Sequence, residues 1–253
     1  KARKMIVGHK QTYKILRVKA DSNAEYIWFH AASLGEFEQG RPIIEEINRN
    51  YPETKILLTF FSPSGYEVRK DYPYADIVCY LPFDKRRNVK KFFRLVNIKK
   101  AIFIKYEFWY NFVNLLKKNE TPVFMISAIF RPSQIFFKWY GGVMRKLLGY
   151  YKYICVQDEN SKQLLASINI ANVKVCGDTR FDRVSDIRQQ AKPLDIVDTF
   201  ARKAESENEK IIVAGSTWPK DEDVIIPYFN SATDVKLIIA PNEIDEAHLK
   251  YIE

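Results

Sequence analysis

The sequence predicts an α/β fold: a doubly wound parallel sheet in a first domain, followed by the start of a second domain of the same kind. Three observations carry this. Apolar runs alternate with segments of helical spacing almost from end to end. The runs are continuous in Ile, Val and Phe rather than alternating with polar residues, as strands buried on both faces require. Composition is globular, with 47% hydrophobic and 28% charged residues, nine Gly and 11 Pro, which excludes disorder and collagen-like repeats. In order, the predicted strands span residues 26–32, 55–61, 75–81, 101–106, 122–128, 153–157 and 173–176. Between them the spacing is helical, as in Ile43, Ile44 and Ile47, or Val89, Phe92, Phe93 and Val96.

Residues 182–195 are polar and contain Gln189, Gln190 and Pro193. They read as an inter-domain connection, dividing 1–182 from 183–253. Beyond it the pattern predicts a helix over 196–204, a strand over 210–214, a helix over 221–231, a strand over 235–240 and a helix from about Glu243. Two strands do not make a covered sheet of the usual five or six, so the second domain is expected to be truncated at Glu253. Lys1 stands where a natural chain begins with Met, which suggests that a preceding segment, and any anchor in it, has been cut away.

Net charge is +9, and its distribution is polarised. Residues 1–19 carry seven Lys or Arg, residues 85–105 nine and residues 131–152 five, all without an acid; the remainder of the chain stands at −12. Such a field attracts an anionic partner, whether phospholipid, phosphorylated glycolipid or nucleic acid, unless the runs are merely solvated faces. Cys79, Cys155 and Cys176 are far apart in the sequence, and with His9, His30 and His248 they form no zinc spacing and no disulfide framework. A reducing compartment is expected. No apolar run approaches the roughly 18 residues that span a bilayer.

Common signatures are missing: there is no G-x-G, no P-loop, and Ser33 is not in a nucleophile elbow. The triplet Asp221-Glu222-Asp223 has the form of a metal-binding acidic motif, but it also suits a helix start after Pro219. Open parallel sheets bind ligands beyond the carboxyl ends of their strands. Three predicted strand ends carry polar groups there: Ser33-Leu34-Gly35-Glu36, Tyr106-Glu107-Phe108-Trp109 and Gly177-Asp178-Thr179-Arg180. Two carboxylates and a guanidinium around one cleft can supply a general base and charge stabilisation. Alternatively, Glu36 and Glu107 serve the first turns of their helices, and Arg180 bridges to Asp178 or Asp182. His30, inside an apolar run, reads as a satisfied core histidine rather than a catalytic one.

In the second domain Gly215-Ser216-Thr217 reads as a small-residue turn offering amides and hydroxyls to a phosphate, with Pro241-Asn242-Glu243 as the matching turn after the next strand. The segment 130–151 mixes Phe136, Phe137, Trp139, Tyr140, Leu147 and Leu148 with Arg131, Lys138, Arg145 and Lys146. It suits an interfacial helix on an anionic bilayer or an amphipathic helix packed on the sheet. Such interleaving also suits single-stranded nucleic acid, but no nucleic-acid motif accompanies it.

His30-Ala31-Ala32-Ser33-Leu34-Gly35-Glu36, Thr59-Phe60-Phe61-Ser62-Pro63-Ser64-Gly65-Tyr66, Leu81-Pro82-Phe83-Asp84, Lys105-Tyr106-Glu107-Phe108-Trp109, Gly177-Asp178-Thr179-Arg180-Phe181-Asp182 and Gly215-Ser216-Thr217 follow in the order found in the Kdo transferases, which the chain resembles over essentially its whole length. The resemblance implies a GT-B fold, with acceptor recognition mainly in the first domain and CMP-sugar binding mainly in the second. It implies inverting transfer of 3-deoxy-D-manno-octulosonic acid (Kdo) from CMP-Kdo to a phosphorylated lipid A precursor, lipid IVA, in lipopolysaccharide biosynthesis. Glu36 then matches the proton acceptor, Glu107 a second essential acid and Arg180 a stabiliser of the transition state. Substrate contacts are expected from Ser33, Gly35, Ser216, Thr217, Pro241 and Asn242. No metal or other cofactor is implied, and no nucleic-acid partner. The implied location is the cytoplasmic face of the inner membrane of a Gram-negative cell, against anionic lipid, with an N-terminal anchor that this chain lacks. One departure is that the family usually has Pro-Arg-His where this chain has Pro241-Asn242-Glu243, so the arginine expected at CMP is replaced.

Two other functions compete. A nucleotide-sugar epimerase of the same fold needs only a soluble substrate and leaves the aromatic–basic segment unexplained. A binding module for anionic membranes or nucleic acid would tolerate loss of Glu36.

Overall fold

A computed structural model describes residues 2–190, 192–242 and 244–253; Lys1 and Glu243, at the two expected chain features named above, lie outside the described residues. The chain divides into two compact units, Lys1–Ile187 and Arg188–Glu253.

The first unit is built on seven parallel strands: β1 (Glu25–Ala31), β2 (Lys55–Phe60), β3 (Ile77–Tyr80), β4 (Asn97–Ile104), β5 (Val123–Ala128), β6 (Tyr153–Val156) and β7 (Val173–Val175). Their order across the sheet is β3-β2-β1-β4-β5-β6-β7. All seven predicted strands are present, with ends that shift. β4 starts four residues before the predicted 101 because Asn97, Lys99 and Lys100 are exposed at its beginning, so the apolar run alone under-reads it.

Helices α1 (Ala2–Lys19), α2 (Leu34–Asn50), α3 (Pro63–Arg69), α4 (Arg86–Phe93), α5 (Tyr110–Lys118), α6 (Gly142–Leu148), α7 (Glu159–Ala166) and α8 (Thr179–Gln190) accompany the strands. Successive strand residues point to opposite faces, and each face has its own core. Tyr26, Trp28, Leu57, Phe103, Phe112 and Ile154 belong to one; Phe29, Phe37, Ile44, Leu58, Phe60 and Ile104 belong to the other.

Two basic stretches of the sequence take a form that the sequence pattern did not predict. Ala2–Lys19 fold as α1, which packs on the edge strand β3. Leu16 is buried, and Thr12 donates to the Tyr80 carbonyl at 2.7 Å. Gly8 makes room there: a Cβ would stand 2.3 Å from the Tyr80 ring, and one of the two would have to shift. The segment 130–151 is not one amphipathic helix. It breaks into a 3₁₀ turn, Ile135–Phe137, and α6. The break is at Gly141, where a Cβ would meet the Ile135 carbonyl oxygen at 1.9 Å. Among the described residues no helix is long and apolar enough to cross a membrane.

The second unit holds α9 (Asp195–Ser206), β8 (Lys210–Thr217), α10 (Pro219–Ser231), β9 (Val235–Pro241) and α11 (Glu246–Ile252), with β8 and β9 parallel. β8 runs three residues past its predicted end and β9 one. Gly215-Ser216-Thr217 and Pro241 are therefore strand ends rather than turns.

Candidate active site

Strand order reverses between β1 and β4. The chain leaves β1 toward β2 and β3 on one side, and leaves β4 toward β5, β6 and β7 on the other. Adjacent parallel strands whose connections diverge leave a crevice at their carboxyl ends. β1 ends into Ser33–Glu36 and β4 into Lys105–Glu107, so the two candidate carboxylates stand at the two lips of this crevice.

Glu36 lies in the first turn of α2. Its Oε2 accepts from the Ser33 backbone N–H at 2.8 Å and the Ser33 hydroxyl at 2.9 Å. This is the capping role foreseen as an alternative, and it occupies one oxygen only. Oε1 has no hydrogen-bond partner among the described residues, leaving a carboxylate that is fixed in place with one oxygen unoccupied. Gly35 beside it is exposed, with open space where a Cβ would be.

Glu107 does not serve the first turn of α5, contrary to the alternative above. The buried carboxylate, 8% exposed, accepts at Oε2 from Trp109 Nε1 and lies 3.1 Å from His30 Nε2. Its carbonyl accepts from the Tyr151 hydroxyl. Lys105, with φ of +64°, turns the chain out of β4 just before it. The first-turn amides of α5 go instead to Asp84, whose carboxylate accepts from Asn111 and Phe112. Burial pushes the Asp84 carboxyl up, and these amide bonds partly oppose that.

His30 is a satisfied core histidine, as its apolar setting suggests, but one of its partners is Glu107. It is fully buried, and Nδ1 lies 2.8 Å from the Thr59 hydroxyl. Thr59 in turn accepts from Trp28 Nε1 at 2.8 Å. One ring nitrogen thus faces the Glu107 carboxylate, and the other faces both the hydroxyl of Thr59 and, at 3.1 Å, its carbonyl. Spacing could not have revealed this, since His30 and Glu107 are far apart in the sequence.

Arg180 is 58% exposed along its side chain and forms a fork with Asp178, Nε lying 2.8 Å from Oδ2 and 3.1 Å from Oδ1. The hydrogen bond from Arg180 holds the Asp178 carboxyl below the usual carboxylate range, against the effect of burial. Of the two surface partners foreseen for Arg180, Asp178 is the one engaged; the Asp182 side chain lies outside the described set. The loop is tied to α2: Thr179 donates to the Gln39 carbonyl at 2.7 Å, and Gln39 Nε2 donates to Asp178. Gln39 lies one turn beyond Glu36, so Arg180 is anchored beside the same helix end. Gln39 was not singled out from the sequence, and Thr59 and Asp84 entered only within the family motifs, without a role.

In the second unit, Ser216 and Asn242 are joined by a hydrogen bond of 3.0 Å. Ser216 is exposed, but Thr217 is buried and donates to Glu222 Oε1 at 2.7 Å. Its hydroxyl is turned inward, which contradicts the expectation that it contacts a ligand. The acidic triplet is dispersed: Asp221 caps the Trp218 N–H, Glu222 holds Thr217 and His248, and Asp223 accepts from Tyr251.

The family of 3-deoxy-D-manno-octulosonic-acid transferases (kdotransferases) is matched over residues 8–183. The chain belongs to this family. It is 27% identical to a 3-deoxy-D-manno-octulosonic acid transferase of Aquifex aeolicus, over 88% of this chain and 56% of that protein. It is 26% identical to the enzyme of the same name from Haemophilus influenzae, over 79% and 47%. A bifunctional glycosyltransferase/methyltransferase of Fusobacterium nucleatum is 25% identical, over 87% and 35%. The chain thus spans about half or less of the length of these relatives. Among solved structures, a UDP-GlcNAc 2-epimerase from Neisseria meningitidis superposes with a TM-score of 0.57 at 14% identity, covering 90% of this chain and 74% of that one. MurG from Acinetobacter baumannii gives 0.51 at 8%, covering 88% and 68%. The Kdo-transferase chain therefore has the GT-B type of α/β fold.

Proposed function

We propose that this chain carries the acceptor-binding domain and the beginning of the donor-binding domain of an inverting transferase, which moves Kdo from CMP-Kdo to a phosphorylated lipid A precursor. The supporting observation is the pair of carboxylates at the β1/β4 crevice, each held through one oxygen. Glu36 Oε1 takes the proton of the acceptor hydroxyl as that oxygen forms its bond to the anomeric carbon of Kdo. The bond from that carbon to the CMP phosphate breaks, and CMP leaves with the electron pair. A single displacement inverts the configuration. Glu107, fixed by His30 and Trp109, orients a polar group of the sugar or acceptor. Arg180, close to its pair with Asp178, offers positive charge to the departing phosphate. No metal is assigned a part.

The acceptor's phosphates and acyl chains suit the exposed aromatic–basic surface, where Trp139 is 91% exposed and Tyr140, Lys138 and Lys146 are near it in sequence. This surface supports a position on the cytoplasmic face of the inner membrane.

The test compares the full-length protein with its Glu36→Gln variant, using CMP-Kdo and tetraacylated lipid A precursor. CMP release that needs the acceptor and collapses in the variant supports the reading. Acceptor-dependent release that survives moves the base elsewhere, with Glu107 next. Acceptor-independent consumption of donor points to epimerase-type chemistry, and no consumption returns the chain to a binding role.

A further inference from the structure

The second unit contains a buried carboxylate that the proposed chemistry does not use. Glu222, on α10, is 0% exposed and has protein partners on two other elements. Oε1 accepts from the hydroxyl of Thr217, the last residue of β8, and Oε2 lies 2.7 Å from His248 Nε2 on α11. Burial acts to raise this carboxyl, and the hydrogen bonds from His248 and Thr217 outweigh it, keeping the group below its ordinary range.

What the clamp holds is unusual. The pairing of β8 with β9 runs in step as far as Gly215↔Ala240, and resumes at Thr217↔Pro241. Ser216 is the extra residue of this bulge, exposed, with φ of +59°. A non-glycine residue in the left-handed region costs about 1–2 kcal/mol and persists where its surroundings over-determine it. Here they do. On one side Thr217 is tied inward to Glu222; on the other its carbonyl accepts from the Asn242 N–H at 2.9 Å. Ser216 Oγ then donates to Asn242 Oδ1 at 3.0 Å. The result is an exposed polar edge, Gly215-Ser216 and Asn242, at the carboxyl ends of two parallel strands.

We propose that Glu222 is a positioning residue for the donor nucleotide. Acting through Thr217 and His248, it fixes the β8 bulge so that Ser216 and Asn242 face the phosphate of the CMP-sugar, while touching no substrate itself. The proposal rests on the reading of the donor given above. It also accounts for the inward turn of Thr217, the residue of the Gly-Ser-Thr sequence that the phosphate does not need.

The experiment measures CMP affinity by calorimetry and donor and acceptor KM for the full-length protein and three variants: Thr217→Val, Thr217→Ser and Glu222→Gln. Thr217→Val keeps the β-branched shape but replaces the hydroxyl that bonds Glu222 with a methyl; Thr217→Ser keeps the hydroxyl. Loss of one hydrogen bond to a buried carboxylate corresponds to about tenfold in an equilibrium constant. Thr217→Val and Glu222→Gln are therefore expected to weaken CMP binding and raise donor KM about tenfold, leaving acceptor KM within about twofold. Thr217→Ser restores donor affinity. The proposal is overturned if folded Thr217→Val binds CMP as wild type does, or if donor and acceptor KM rise together, as general loosening would cause. Clamp-dependent CMP binding without any sugar transfer by wild type sinks the transferase reading and leaves the clamp. Wild-type transfer with neutral clamp variants does the reverse.

Discussion

The two units treat the polar residues at their strand ends differently. At the β1/β4 crevice, Glu36 and Glu107 are each pinned through Oε2, so their orientation is set while the second oxygen has no described hydrogen-bond partner. At the β8/β9 ends, both oxygens of Glu222 are engaged and the group is sealed from solvent. The first arrangement leaves an oxygen for a group outside the protein, as the proposed general base requires. The second can only hold other groups in place. A residue's type therefore does not decide its role; the number of its bonding sites already consumed does.

The largest expected effect tests the first half of that contrast. Glu36→Gln keeps an acceptor for the Ser33 N–H but cannot take a proton. Turnover should fall by about 10²–10⁴-fold, the range for a lost general base, with an unchanged melting curve. Retained turnover in a folded variant would mean that Oε1 of Glu36 is not the proton's destination.

His30→Asn tests whether the pinning matters. Shortening the side chain leaves Thr59 or Glu107 without its imidazole partner, and urea unfolding should report a loss of about 1–3 kcal/mol. Gly8→Ala probes a contact remote from both sites. The added methyl meets the Tyr80 ring, and a cost of about 1–3 kcal/mol is expected from overpacking. A neutral result would mean that α1 shifts on β3 without penalty.

Smaller effects sharpen the comparison. Ser216→Gly relieves the left-handed backbone and should stabilise the second unit by up to about 1 kcal/mol, while removing the hydroxyl that faces Asn242; a destabilised variant would mean that this hydrogen bond outweighs the strain. Arg180→Ala removes an exposed ion pair and should cost less than about 1 kcal/mol, so any large fall in turnover would report on chemistry. The pH dependence has a definite sign. Because the Asp178 carboxyl is held below its usual range, its contribution is complete above the unfolded carboxylate value of about 3.9. It is lost as pH falls through the lower folded value, and should shrink in acid titrations of Arg180→Ala, where the residue-180 amide and Gln39 still donate to Asp178.

The strands were legible because a sheet buried on both faces needs continuous apolar runs, which composition cannot hide. Helix α1 was not: its buried stripe includes His9 and Thr12, polar residues whose burial depends on β3 arriving from far along the chain. The site was half legible. Glu36, Glu107 and Arg180 stand at strand ends where sheet topology predicts them. The sequence offered the local bonds of Glu36 and Arg180 as alternatives, but not those made between distant elements. The link from His30 to Glu107 needs β1 and β4 side by side, and the inward turn of Thr217 follows from a single extra residue in β8.

The reversal of strand order that opens the crevice also bears on how the first unit is made. β1 pairs with β4 through registers such as Trp28↔Ala101, so the central strand of the sheet waits for a partner separated from it by two complete strand–helix units. Long-range pairing of this kind slows folding and leaves apolar edges transiently bare. During synthesis, β1 can first be flanked only by β2, and its other edge stays open until β4 has emerged. Mutations that weaken the β1–β4 seam should thus show first as low yield and chaperone dependence, before any change in the finished protein's turnover.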